Sequence, residues 1–479
     1  MNMKKLLNIV LALMCGLSAF AQDADLKIIG INDMHAAVQL FPKFSYLVDS
    51  IRSANPDKQV LVMSAGDNRT GNSINDIYTE PNLPMIEMMN AVGFNISSMG
   101  NHECDHSVES FANTINKSNC TFVVANVFPA DSLRLHFQPF KLFEHQGVRI
   151  GVIGFVQVNK AGTPDCHPAK VKGIRFEDPF ETANKYKWLR DQCDVYIALN
   201  HLGLDKDTLF ADEHPEFDLL ICGHSHDIVP GIIRNGVMIC QAKRDVKYFN
   251  EIDLKVRGGK VVEKKSKLID VRATNGSDPR MQAMLEKFSE NPELKRIICR
   301  NAGQFSNKQQ LGCLMADGQR GKSGAEIGIV NAGGVRYEEK EAGRFVVNDV
   351  YRLDPFGNEL YTLDLTGEEI KALLEELPTT DEYGPGFVSG MQYTIAADSK
   401  GVYKVTKMLT ADGKKFDMKK TYKVALNSYI YSTNKCLANR DFKNHYITTS
   451  DALIKYIEGQ SGLDYTGVNR VTIIGGTHR

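Results

Sequence analysis

Phe94-Asn95-Ile96-Ser97-Ser98-Met99, followed directly by Gly100-Asn101-His102-Glu103-Cys104-Asp105, is the stretch that decides the fold. An apolar run that stops at a tight polar tip is how a buried strand delivers functional groups to the end of a sheet. The same design recurs at four other places. Leu26 to Ile31 leads into Asn32-Asp33-Met34-His35, and Val60 to Ala65 into Gly66-Asp67-Asn68. Val195 to Leu199 leads into Asn200-His201, and Asp218 to Cys222 into Gly223-His224-Ser225-His226. Strand ends that converge with nitrogen and oxygen ligands make a metal site.

Working outward, Met1 to Ala21 carries Lys4 and Lys5, an apolar stretch from Leu6 to Leu17, and Ala19-Phe20-Ala21. This predicts a signal peptide over 1–21 and export to the periplasm or the cell surface. No later stretch is long and apolar enough to span a membrane. The formal charge is only -1, which argues against a nucleic-acid-binding surface. Of the 10 cysteines, one lies in the leader, and the rest show no paired short spacing that would mark a disulfide framework. No protein partner is predicted.

Strand-like runs alternate with helix-like segments from Leu26 to about Arg272, which argues an α/β domain over 22–272. Breaker residues from Ala273 to Pro279 mark a boundary, and Arg280 to Arg300 reads as a linker helix within 273–300. A second, separate mixed α/β (α+β) domain is expected over 301–479, with strand-like runs at Gly328 to Val330, Tyr361 to Leu365 and Tyr422 to Leu426.

Asp33 and His35 share one face of an extended segment, as do His224 and His226. With Asp67, Asn101 and His201 they supply enough ligands for two divalent ions. Asp67 is the natural bridge, because a carboxylate can share its two oxygens between cations. The absence of a thiolate points to a hydrolytic site rather than a structural zinc, open to Zn, Mn, Co or Fe. Asp105, three residues beyond His102, can orient its ring; the bland alternative for Asp105 is a helix cap.

These blocks resemble the calcineurin-like metallophosphoesterases. More closely they resemble the secreted 5′-nucleotidase / UDP-sugar hydrolase / 2′,3′-cyclic phosphodiesterase family, over nearly the whole mature chain. The resemblance implies a four-layer β-sandwich flanked by helices for the first domain. It implies that Asp33, His35, Asp67 and His226 hold one metal, and Asp67, Asn101, His201 and His224 the other. His102 would be the catalytic histidine, with Asp105 its carboxylate partner. Asn331-Ala332-Gly333-Gly334-Val335-Arg336 and Asp354-Pro355-Phe356-Gly357-Asn358 are similar to signature blocks of the family's C-terminal domain. By that likeness Arg336 holds phosphate, Asn331 touches the base and Phe356 stacks on it, with Arg320 a further phosphate arginine. The second domain would swing about the linker to deliver substrate.

The sequence departs from the family late in the second domain. After Asn427-Ser428-Tyr429 the chain runs from Ile430 to Phe442 without a glycine, where the family has a Gly-Gly-Asp-Gly-aromatic block. Tyr431 or Phe442 would have to supply the second ring. The expected activity is release of phosphate from nucleoside 5′-monophosphates for nucleotide salvage, with a small-molecule phosphoester as partner. The alternatives are a UDP-sugar, cyclic-nucleotide or other phosphoesterase of the same family, and, in another class, a nucleotide-binding protein without turnover.

Overall fold

The computed structural model describes residues 23–135, 137–377, 384–398 and 401–475. The expected leader, 1–21, lies outside them, as do His136 and His478. Two six-stranded sheets stack face to face in the first half of the chain. One contains Ala24–Ile31, Val60–Ser64 and Ile96–Ser97 side by side and parallel. The other contains Val148–Val156, Val195–His201 and Leu219–Cys222, also parallel.

Alternation along Ala24–Ile31 shows why these strands read as near-continuous apolar runs. Leu26 and Ile28 point into the core between the sheets, against Ile197, Leu199 and Ile221. Ile29 and Ile31 point the other way, into a core shared with Phe44, Val48 and Met89 of helices Phe41–Ala54 and Leu83–Val92. A third cluster, including Phe155, Tyr196, Phe210 and Leu220, covers the outer face of the second sheet. Strands covered on both faces need apolar residues on both, and the result is the expected four layers.

The helix expected over Arg280 to Arg300 is shorter. It runs Pro279–Phe288, and a 3₁₀ turn Pro292–Lys295 and a strand Ile297–Asn301 follow. Pro292 has no amide hydrogen and restricts Asn291 before it, so the helix cannot continue. The helix is seated on the first half: Ser45 donates to Asp278 at 2.7 Å, and the rings of Tyr78 and Phe288 meet edge to face at 5.5 Å.

The second half holds a five-stranded sheet with Glu359–Thr366 and Thr421–Asn427 near its centre. The long helix Lys308–Ser323 lies beside helix Thr449–Glu458. The stretch without glycine folds as helix Ser428–Thr433 and a 3₁₀ turn Lys435–Leu437. Glu376 pins that turn by accepting from the amides of Lys435 and Cys436 at 2.6 and 2.9 Å. All the cysteines of the described residues are unpaired. Among the described residues no helix is long and apolar enough to cross a membrane.

Candidate active site

The strand ends meet because the strands are in register. Ile31 lies opposite Ser64, and Ser64 opposite Ser97; in the facing sheet Cys222 lies opposite Asn200. The loops that leave them are stitched together by backbone bonds from Asp33 N to Gly66 O, at 3.1 Å, and from His35 N to Asp67 O, at 3.0 Å. Asp33, His35, Asp67, His224 and His226 all have positive φ, between 44° and 83°. This is an uncommon conformation for residues with a Cβ, and it is sustained only where surroundings over-determine it. Gly66 is required at its position: its φ is +88°, and a Cβ there would stand 2.5 Å from the amide nitrogen of Gly100.

The candidate ligands form two adjoining groups. In the first, Nε2 of His35 and Nε2 of His226 approach to 3.1 Å, and His226 Nε2 lies 3.4 Å from Asp33 Oδ1. In the second, His201 Nε2 lies 3.1 Å from both Asp67 Oδ2 and Asn101 Oδ1, and His224 Nδ1 is 2.9 Å from that same amide oxygen. His35 and His201 each direct Nδ1 at a main-chain carbonyl, of Thr70 and Ala65, at 3.0 and 2.8 Å. A carbonyl can only accept, so Nδ1 carries a hydrogen in each ring and Nε2 is the atom turned toward the carboxylates. This is the arrangement of a ligating imidazole.

Charge supports the same use. Burial, reinforced by Arg336, holds His35 well below the usual imidazole range, so the ring stays neutral. Burial also opposes ionisation of Asp67, but His201 and His102 outweigh it and hold the carboxyl well below its ordinary value. Asp33 and Asp67 are anionic carboxylates almost wholly removed from water. Such groups need cations close by, and groups formed by Asp33, His35 and His226, by Asp33, Asp67 and His201, and by His35, Asp67 and His102 present donor atoms close enough together to hold one.

His102 sits at the edge of these groups. Its Nδ1 is 2.7 Å from Asp105 Oδ2, and its Nε2 is 3.9 Å from Asp67 Oδ2. Burial lowers its affinity for a proton, yet Asp105 and then Asp67 raise it above the ordinary imidazole value. Its backbone amide donates to Asp67 Oδ1 at 2.8 Å, so the ring is indexed to the proposed bridging carboxylate.

The second half closes a cavity of about 360 Å³ over these groups. Phe356 stacks on the His102 ring with centroids 5.6 Å apart. Arg336 Nη2 stands 3.2 Å from both ring nitrogens of His35, and its guanidinium lies 5.5 Å from the Phe356 ring centre. Asn331 lines the same cavity and accepts from Asn427 Nδ2 at 3.0 Å.

The structure does not bring Arg320 to this cavity. Its Nε donates to Ser389 at 2.6 Å, in a network that also ties Asp317 to Tyr465 and Arg470. Nor do Tyr431 and Phe442 line the cavity. They pack with Tyr361, whose ring is stacked on Phe442 at 4.3 Å. Tyr429 lines the cavity instead, two residues before Tyr431.

Two carboxylates that sequence reasoning left unassigned are built into the site. Glu103 is buried and accepts from the amides of Asp67, Asn68 and Gly100 at 3.2, 2.9 and 2.6 Å, locking two strand-end loops together. Burial and the nearby Asp67 push it up to about 7. Its signal was in plain view, an acid inside the polar tip that organises the fold. Asp165 accepts from Asn101 Nδ2 through its backbone oxygen at 3.1 Å, and its side chain lies 3.5 Å from His224 Nε2. It comes from irregular chain with no strand-end pattern to mark it.

Comparison with known proteins agrees with this architecture. Residues 26–227 match the calcineurin-like phosphoesterase model, and residues 289–437 match the 5′-nucleotidase, C-terminal domain model. The chain is 26% identical to protein UshA of Yersinia enterocolitica, over 92% of each chain. It is 26% identical to the 5′-nucleotidase of Vibrio cholerae, over 88% of this chain and 86% of that one. The crystal structure of a 5′-nucleotidase precursor from Thermus thermophilus superposes with a TM-score of 0.82 at 22% identity, covering 95% of this chain and 100% of that one.

Proposed function

Because the chain belongs to the 5′-nucleotidase family of calcineurin-like phosphoesterases, and is a metal-dependent phosphoester hydrolase, we propose that it is exported and releases phosphate from nucleoside 5′-monophosphates. The observation that carries the substrate reading is Phe356 stacked on His102 beside Arg336: an aromatic face, a guanidinium and a histidine turned toward one cavity. Export is read from the leader pattern over 1–21, and a salvage role follows from a nucleotide substrate met outside the cell.

Asp33, His35, Asp67 and His226 would hold one divalent ion, and Asp67, Asn101, His201 and His224 the other. Bound there, such ions polarise phosphoryl oxygens and acidify water near neutral pH. The chain's own side chains do the rest. Arg336 offers a planar fork of donors to the phosphoryl group. His102, held by Asp105, presents Nε2 to the charge that grows on the phosphoryl and leaving oxygens. Phe356 receives the base, with Tyr429 on the wall contributed by helix Ser428–Thr433. Arg320 plays no part in phosphate binding in this arrangement.

Phosphate release should be fastest from a nucleoside 5′-monophosphate in a panel that includes a UDP-sugar, a cyclic nucleotide and a simple sugar phosphate. Equal rates across the panel would contradict the nucleotide reading. Phe356→Ala should raise KM for a 5′-monophosphate by about 5- to 100-fold, the worth of one stacked base. Tyr429→Ala should act in the same direction, and neither change should alter KM for the sugar phosphate. Steady-state kinetics on both substrates checks this.

A further inference from the structure

Arg69 is an arginine side chain with no exposure to solvent, two residues after Asp67 and on no surface that meets substrate. Its Nη1 donates to the carbonyl of Glu103 at 3.2 Å and to Ser110 Oγ at 3.1 Å. Its Nε and Nη2 have no hydrogen-bond partner among the described residues. A guanidinium keeps its charge even when buried, and burying one without full partners is costly, so its place calls for a compensating use.

The acids whose charge bears on it are Asp76, Asp105 and Glu103. Asp76 is already engaged by the amides of Gly71 and Asn72, at 2.8 Å each. Glu103 is engaged by the amides of the strand-end loops described above. Asp105 is the acid tied to His102. The two bonds that Arg69 makes bracket this acid in sequence: Glu103 precedes it, and Ser110 lies in the first turn of helix Val108–Lys117 beyond it.

We propose that Arg69 is a positioning residue for His102: by holding the carbonyl of Glu103 and the hydroxyl of Ser110 it pins the turn that carries His102 and Asp105. The inference rests on the reading of His102 as the group that serves the leaving oxygen. Arg69 never touches substrate, and its effect passes through Asp105 to the ring.

The test compares glycerol phosphate, whose alkoxide is a poor leaving group, with p-nitrophenyl phosphate, whose phenolate leaves readily. Both are given to the full-length metal-loaded protein and its variants. Arg69→Met should lower kcat on the alkyl ester about 10- to 100-fold, a fraction of what general-acid assistance supplies. It should change the aryl ester less than threefold, with KM and metal content unaltered. Added to Asp105→Asn it should cost little more than Asp105→Asn alone, as expected for residues acting through one path. Arg69→Lys keeps the charge and a nitrogen able to donate to both Glu103 and Ser110 but on a shorter side chain, and it should show the same ester dependence at smaller size. If Arg69→Met fails to fold, Arg69→Lys carries the comparison. Equal losses on the two esters, losses additive with Asp105→Asn, or no loss would overturn the inference. His102→Ala itself losing equally on both esters would overturn the reading beneath it, and the inference with it.

Discussion

His102→Ala should lower kcat for a nucleoside 5′-monophosphate by about 10²- to 10⁴-fold, the range that a positioned acid or base contributes, while metal content stays at the wild-type level. The expectation follows from where the ring stands. Its Nδ1 is occupied by Asp105 at 2.7 Å, and its Nε2 faces the cavity 3.9 Å from Asp67. None of the tight contacts among Asp33, His35 and His226, or among Asp67, Asn101 and His201, includes it. Removing the ring therefore takes away a group that meets developing charge and leaves the ligand groups in place. Truncation also removes the face on which Phe356 stacks, so KM should rise modestly. Single-turnover kinetics with metal analysis of the purified variant reads both effects. A variant that keeps its full rate would remove His102 from the reaction.

Asp67→Ala should be more damaging, because Asp67 is the carboxylate proposed to serve both metal sites and it also anchors the turn that carries His102. Its Oδ2 lies 3.1 Å from His201 Nε2, and its Oδ1 accepts the backbone amide of His102. Losing an outer partner of a metal ligand costs about 10- to 100-fold in affinity or activity. Losing a carboxylate proposed to be shared between two ions should exceed that. The variant should bind less metal, lose activity beyond detection, and regain little at high metal concentration. Its loss should not add to that of His102→Ala, since the turn carrying His102 loses its anchor at the same time. Metal titration of the chelated variant, followed by phosphate release, measures this. Wild-type metal content with full activity would remove Asp67 from the site.

Much of the site was legible in the sequence because strand ends are punctuated by chemistry. Asp33, His35, Asp67, Asn101, His201, His224 and His226 each follow an apolar run, and parallel strands in register bring such ends together. What was not legible has physical causes. The positive φ of five of those residues comes from loops crossing, which no local pattern records. The placement of Arg320 depends on helix phase: it lies in the last turn of Lys308–Ser323 and turns to Ser389 rather than to the cavity. The likeness to the family puts the second ring at Tyr431 or Phe442. The chain folds instead as helix Ser428–Thr433, which puts Tyr429 on the cavity wall. Helix Pro279–Phe288 stopped early at a proline that the helical pattern had overridden. Glu103 and Arg69 are buried polar residues whose partners are set by tertiary contacts alone.

The most direct measurement is metal stoichiometry with activity on one preparation. The protein is stripped with a chelator, titrated with Mn, Zn or Co, and assayed at each step for bound metal and for phosphate released from a nucleoside 5′-monophosphate. Activity should be absent without metal, should rise as ions bind, and should saturate at about two ions per chain, the number that Asp67 can bridge. Full activity in the stripped protein, or saturation with metal bound and no phosphate released from any ester, would contradict the dinuclear phosphohydrolase.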